Sequence, residues 1–165
     1  MNEPSFSHLD PAGEAHMVDV SAKEITRRLA EASCKVVLSA DTVRRLGNLP
    51  KGDAFAISRV AGIQAAKRTD TLIPLCHSLP LDQVEVEVHP VDGGVEIRSK
   101  IVVTAKTGAE MEALTACSVA ALALYDMVKA VERGAVITDL RLESKSGGRS
   151  GTWLRSPDDD GPDRP

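Results

Sequence analysis

The sequence predicts an α+β domain with the element order β-α-β-β-α-β, and three patterns carry that prediction. Ala30, Ala32, Cys34, Val36 and Leu38 alternate with Glu31, Ser33, Lys35 and Val37, the period of a strand with one buried face. Val84, Val86 and Val88 alternate with Glu85 and Glu87, and Pro90-Val-Asp-Gly-Gly94 then turns the chain into Val95, Ile97, Ile101 and Val103, which reads as a β-hairpin. Two longer runs, residues 54–68 and 107–134, have helical character. A strand at 137–144 completes the split βαβ arrangement: a four-stranded antiparallel sheet with both helices packed on one face.

Each element has a local reason. Residues 1–12 carry no periodic pattern and residues 155–165 are too polar and proline-rich to pack, so a mobile N-terminus and a disordered tail are expected around one domain, residues 13–154. Leu46-Gly-Asn-Leu-Pro-Lys-Gly-Asp53 is a loop, and Asp53 is placed to cap the helix after it. In that helix Phe55, Ile57, Val60, Ile63 and Ala66 recur at mixed spacings of two and three, which predicts packing on more than one side. Thr107 and Glu110 have the spacing of a capping box at the start of the long helix, which is expected to end near Gly134. In the last strand Leu140 and Leu142 are assigned to one face, Arg141 and Glu143 to the other. No internal repeat is visible.

Composition limits the function. At 165 residues the chain supports one core, and a formal charge of −4 with a pI near 5.6 argues against a nucleic-acid footprint. Any anion site must be local. Cys34, Cys76 and Cys117 are odd in number and show no CxxC spacing. His8, His16, His77 and His89 show no HxH or HxxxH pattern, so neither disulfides nor a metal site is supported. No basic segment leads into an apolar stretch at the N-terminus, and Asp126 interrupts the longest apolar run, which leaves no membrane segment and the cytoplasm as the expected compartment. The chain has only four aromatic residues, so Ala, Val, Leu and Ile must fill the core. Ala-rich helices favour close packing, and an oligomer is expected for that reason.

The most informative charged residues are Asp126 and Lys129. A spacing of three sets a carboxylate and an ammonium on one helix face, within an otherwise nearly uncharged run, where each tunes the other's pKa. Taken alone they read first as an ordinary ion pair closing a solvent face. Lys51 sits in a Gly/Pro-flanked loop, where a flexible ammonium can close over a ligand or simply be solvated. Lys67 and Arg68 end the first long helix and also complement its dipole. His77 follows Ile73-Pro-Leu-Cys76 and suits a structural hydrogen bond as well as a site. Lys145-Ser-Gly-Gly-Arg-Ser-Gly151 is glycine-rich and basic, suited to phosphate oxygens, though it lacks the GxxxxGK[ST] order.

Together these segments stop looking independent. Gly13-Glu-Ala-His-Met-Val-Asp-Val-Ser21, Lys51-Gly-Asp-Ala-Phe, Ala61-Gly-Ile-Gln-Ala-Ala-Lys-Arg-Thr69, Leu72-Ile-Pro-Leu-Cys-His77, Lys106-Thr-Gly-Ala-Glu-Met-Glu-Ala-Leu-Thr115, Tyr125-Asp-Met-Val-Lys129 and Lys145-Ser-Gly-Gly-Arg-Ser-Gly151 closely resemble the molybdenum-cofactor biosynthesis protein C family, MoaC, in one order from residue 13 to 151. The resemblance implies a ferredoxin-like subunit with cyclic pyranopterin monophosphate synthase activity. That activity converts 3′,8-cyclic dihydroguanosine triphosphate to cyclic pyranopterin monophosphate and pyrophosphate. It also implies a homohexamer, a trimer of dimers, with sites at the dimer interface. It makes Asp126 the principal catalytic residue with Lys129 and Lys51 as partners in proton transfer. Leu75, Cys76, His77, Met111 and Glu112 then match substrate-binding segments, and Lys67, Arg68 and Lys145 are candidates for the triphosphate and the guanine-derived ring. Ser78 stands where the family usually has proline, and Arg149 where it often has lysine.

Such a reaction needs several proton transfers and charge neutralisation at phosphate, and no redox cofactor. On one straight helix Glu112 and Asp126 share nearly the same face but stand about 21 Å apart. Both serve one small substrate only if two antiparallel subunits bring opposite helix ends together, or if one of them is structural. The competing readings are a non-catalytic nucleotide- or pterin-binding module and a structural oligomerisation domain. The first leaves the combination of Lys51, Asp126 and Lys129 without a use, and the second leaves every charged segment idle.

Overall fold

The computed structural model describes residues 8–10, 12–156 and 159. The parts of the two expected mobile ends at 1–7, 11, 157–158 and 160–165 lie outside those described residues. In chain order the elements are β1 (Thr26–Val37), α1 (Ala40–Arg45), a 3₁₀ turn (Leu46–Asn48), α2 (Ala54–Ala66), α3 (Thr69–Leu72), β2 (Leu81–Val91), β3 (Gly94–Ala105), α4 (Glu110–Val128), β4 (Val136–Ser146) and β5 (Trp153–Leu154). The sheet runs β2-β3-β1-β4-β5 and every pairing is antiparallel. Its first four strands in that order are the predicted ferredoxin-like sheet, and β5 is a two-residue addition at the β4 edge.

Period-two patterning decides which face is covered. Ala30, Ala32, Cys34 and Val36 of β1, with Leu38 just beyond it, are buried under the helices. So are Val86 and Val88 of β2 and Val95, Ile97, Ile101 and Val103 of β3. Each fully buried Ile or Leu of this set stabilises the fold by roughly 1.5–3 kcal/mol relative to an exposed one. The opposite face carries the charges. Glu87 of β2 stands beside Arg98 of β3, which stands beside Ser33 of β1 and then Arg141 of β4.

The hairpin turn and the helix crossing both depend on glycine. Gly94 has φ +151°, and a Cβ there would lie 2.0 Å from the Val36 carbonyl oxygen, so β3 can start this close to β1 only without a side chain. At Gly62 a Cβ would meet the Ala116 carbonyl oxygen at 2.9 Å and Ala120 Cβ and Val86 Cγ1 at 3.2 Å. Small residues thus let α2 lie against α4 while both rest on the sheet, and this antiparallel pair sets where Lys51, Lys67, Arg68, Glu110, Glu112, Asp126 and Lys129 stand. Ala54, Ser58, Ala65 and Ala66 make up the rest of the buried side of α2, whereas Ile57 and Val60 stay exposed.

Three local expectations are corrected. The long helix is capped at Ala109 with no side-chain bond, so Thr107 does not form the predicted capping box; Glu110 instead turns to Lys145. The helix ends at Val128, six residues before Gly134, because the chain then turns twice with Lys129 as its C-cap. In β4 the register against β1 shifts twice and Asp139 adopts φ +53°. That bulge sends Leu140 to solvent while Leu142 packs on the core, so the two leucines do not share a face. Helix α4 is long and apolar enough to cross a membrane by composition, but more than half of it is buried within the domain as its central core helix.

Candidate functional site

The residues singled out from the sequence gather at the two ends of α4. At the C-terminal end, Asp126 lies in the last turn, where the helix dipole disfavours a carboxylate. Two ammonium groups offset that. Lys129 Nζ stands 2.6 Å from Asp126 Oδ1, and Lys51 Nζ stands 3.7 Å from Oδ2 and donates to the Asp126 backbone carbonyl at 3.3 Å. The hydrogen bond and charge of Lys129, reinforced by the charge of Lys51, hold the Asp126 carboxyl below its usual range, and Asp126 in turn raises Lys129. All three are more than half exposed, at 53% for each lysine and 59% for Asp126. Lys51 arrives there because Gly52, with φ +108°, turns the loop directly into the N-cap Asp53, whose carboxylate accepts from the N–H groups of Phe55 and Ala56.

At the N-terminal end the surroundings are opposite. Glu112 is buried, 4% exposed, and burial pushes its carboxyl up to about 7, with the charges of Glu110 and Asp70 adding to the rise. Glu110 is itself held by Lys145, whose Nζ reaches it from β4 at 2.9 Å. Cys76 is half-buried nearby, and its thiol is raised by burial and by the charges of Glu112 and Asp70. His77 and Leu75 belong to the same segment and are half-buried, while Met111 is partly exposed on α4. Lys67 is the C-cap of α2 and Arg68 follows it. Because α2 runs antiparallel to α4, both cations sit at this same end.

The structure therefore brings Lys51, Asp126 and Lys129 together. It assembles Leu75, Cys76, His77, Met111, Glu112 and Lys145 separately, with Lys67 and Arg68 at the same end. It does not bring the two groups together within one chain, since α4 is continuous between them. The glycine-rich segment has a packing reason of its own: a Cβ on Gly147 would lie 2.3 Å from the Arg27 carbonyl oxygen, and one on Gly148 2.3 Å from Arg28 Nη1. Sequence reasoning missed Asp70, whose charge reaches both Glu112 and Cys76. A single acidic residue in a four-residue helix leaves no pattern to detect. It also missed Arg28, which donates to the carbonyls of Ala105 and Lys106 and lines a cleft with Lys23 and Arg149; on an alternating strand it reads as a solvated residue.

An α+β subunit thus carries a carboxylate between two ammonium groups at one helix end and a protonatable buried carboxyl near a half-buried thiol at the other, groups of the kind that can move protons and neutralise an anion. The MoaC family profile matches residues 17–148. A protein of Streptomyces avermitilis named cyclic pyranopterin monophosphate synthase is 55% identical over 153 residues, covering 92% of this chain and 90% of its own length. Proteins of the same name from Streptomyces coelicolor, at 54% with the same coverage, and from Thermomicrobium roseum, at 52% over 93% of this chain and 95% of that one, agree with it. The chain belongs to the MoaC family.

Proposed function

We propose that this protein is a cyclic pyranopterin monophosphate synthase. It is a lyase that converts 3′,8-cyclic dihydroguanosine triphosphate to cyclic pyranopterin monophosphate and pyrophosphate in molybdenum cofactor biosynthesis. The observation that carries the reading is the Lys51, Asp126 and Lys129 cluster, present in a chain more than half identical to proteins of that name. In this reaction the exposed, ionised Asp126 accepts a proton from the reacting group or polarises it. Lys129 keeps Asp126 ionised and neutralises developing negative charge, and Lys51, on its loop, is the general acid/base. Lys67, Arg68 and Lys145 bind the triphosphate and the guanine-derived ring with Leu75, Cys76, His77, Met111 and Glu112. The enzyme works in the cytoplasm.

The two ends of α4 meet across a subunit boundary in this reading. Met111, Ser118, Leu122 and Lys129 recur at spacings of seven, four and seven, one stripe along the helix, and Met111 and Leu122 are exposed on it. A partner whose α4 lies antiparallel on that stripe brings its Glu112 end to this chain's Asp126 end, which spans the roughly 21 Å that a single chain leaves open. Three such dimers form the homohexamer.

The test is single-turnover conversion of the cyclic dihydroguanosine triphosphate by wild type, following cyclic pyranopterin monophosphate and pyrophosphate, with Lys51→Ala and Asp126→Ala in parallel. Product from wild type and loss in both folded variants is the expected result. Saturable binding of the triphosphate without product makes the chain a binding module instead.

A further inference from the structure

Between α2 and β2 the chain makes the single turn α3 and then the stretch 73–80, which carries Leu75, Cys76 and His77. Backbone turn bonds order its first half: Ile73 N–H donates to the Thr69 carbonyl at 2.9 Å and Cys76 N–H to the Ile73 carbonyl at 3.1 Å. Ladder pairing with β3 begins only at Leu81. Ser78 falls between these two regions, and its hydroxyl donates to Oδ2 of Asp70. The bond closes a loop of residues 70–78 with Cys76 and His77 inside it.

Asp70 has a second tie to the site. Its negative charge adds to the rise of both Glu112 and Cys76, whereas Glu110 on α4, whose own charge is engaged by Lys145 from β4, adds to the rise of Glu112 alone. One carboxylate therefore acts by its charge on the first turn of α4 while it holds the far end of the Cys76–His77 segment. A hydroxyl donating to an ionised carboxylate is a charge-assisted bond, stronger than a neutral one.

We infer that Asp70 and Ser78 form a clamp that presents His77 and Cys76 to the substrate beside Glu112, so that both are positioning residues for the reaction proposed above, on which this inference rests. With the clamp released, ordering of the segment is deferred until substrate binds, so affinity falls while the chemistry at Asp126 is untouched.

The experiment measures kcat and KM for Ser78→Ala, Asp70→Ala, the double variant and Ser78→Thr, alongside the rate at which an aromatic disulfide reagent modifies the native protein. Cys34 and Cys117 are buried, so that rate reports Cys76. The expected result is a KM raised roughly three- to tenfold in Ser78→Ala with kcat within about twofold of wild type. Ser78→Thr, which keeps the hydroxyl, stays at the wild-type KM. The double variant is no worse than the worse single variant, because both delete one bond. Cys76 reacts faster in Ser78→Ala and in Asp70→Ala. An unchanged KM and unchanged Cys76 reactivity in Ser78→Ala overturn the clamp, as do multiplicative effects in the double variant. A wild type that makes no product, with Cys76 still released by Ser78→Ala, overturns the synthase reading and leaves the clamp standing.

Discussion

Glu112 and Asp126 are both acids on one helix, fourteen positions apart, and each titrates against the trend that the helix alone would impose. The dipole favours a carboxylate in the first turn, yet Glu112 is held protonated up to about pH 7 because it is buried. The dipole disfavours one in the last turn, yet Asp126 is held ionised because Lys129 and Lys51 stand beside it in solvent. Desolvation wins at one end and paired charge at the other. Two carboxyls with their pKa values pushed apart are the usual arrangement for dividing acid and base roles. Within one chain these two carboxyls stand at opposite ends of α4, so they share a site only across a subunit boundary.

The largest effect should separate the two ends by kinetics. Lys51→Ala and Asp126→Ala are expected to lower kcat by about 10²–10⁴ with little change in KM. Glu112→Gln and Lys67→Ala, in contrast, should act mainly on KM; steady-state kinetics of the four purified variants compares them. Equal kcat losses at both ends would merge the two roles.

Gly62→Ala disturbs both ends together, because it forces apart the crossing that positions α2 on α4. A loss of about 1–3 kcal/mol is expected, read as a lower denaturation midpoint in urea or a Tm drop of roughly 2–4 °C per kcal/mol. A neutral outcome would mean the crossing is looser than Gly62's surroundings imply.

A third variant reads the buried end by pH. The Glu112 carboxyl is raised from 4.5 to about 7 in the folded protein, so its stabilising contribution is fully present below pH 4.5 and is lost as pH rises through about 7. Glu112→Gln removes that dependence. Its Tm relative to wild type should climb between pH 5 and pH 8, by on the order of 1–3 kcal/mol of stability. A constant difference across that range would place Glu112 in water.

The smallest effect is at the exposed end. In Lys129→Gln the Asp126 carboxyl loses its hydrogen-bonded partner, so its midpoint in a carbon-13 NMR titration should move up toward the ordinary aspartate value, with Tm unchanged. The acid limb of the activity profile should move to higher pH in step. An unmoved midpoint would leave Lys51 as the dominant partner.

Much of this was legible in the sequence, for physical reasons that differ by element. The strands of the sheet announce themselves through alternation, because Ala30 to Leu38 and Val95 to Val103 each face one core. The Asp53 cap is equally local. What the sequence hid depends on contacts between distant residues. The start of α4 looks like a capping box until Glu110 is seen paired with Lys145 on β4. The Asp139 bulge has no marker in its own residues, and α1 is fixed partly by Glu132, ninety-three positions from the Ser39 it binds. In the site, Asp126 and Lys129 were legible because helical spacing sets them side by side. Lys51 and Asp70 needed the tertiary structure to show what they face.

The most direct test of the composite site mixes the two ends from different chains. Asp126→Ala and Glu112→Ala subunits are exchanged to equilibrium and assayed for cyclic pyranopterin monophosphate at substrate far below the raised KM of the Glu112→Ala parent, where neither parent turns over measurably, with subunit exchange verified by mass spectrometry. If each site takes Asp126 from one subunit and Glu112 from its partner, random pairing leaves half the dimers hybrid with one intact site in two. Activity should then recover to about one quarter of wild type. No recovery in proven hybrids would put both residues in one subunit's site and contradict the account.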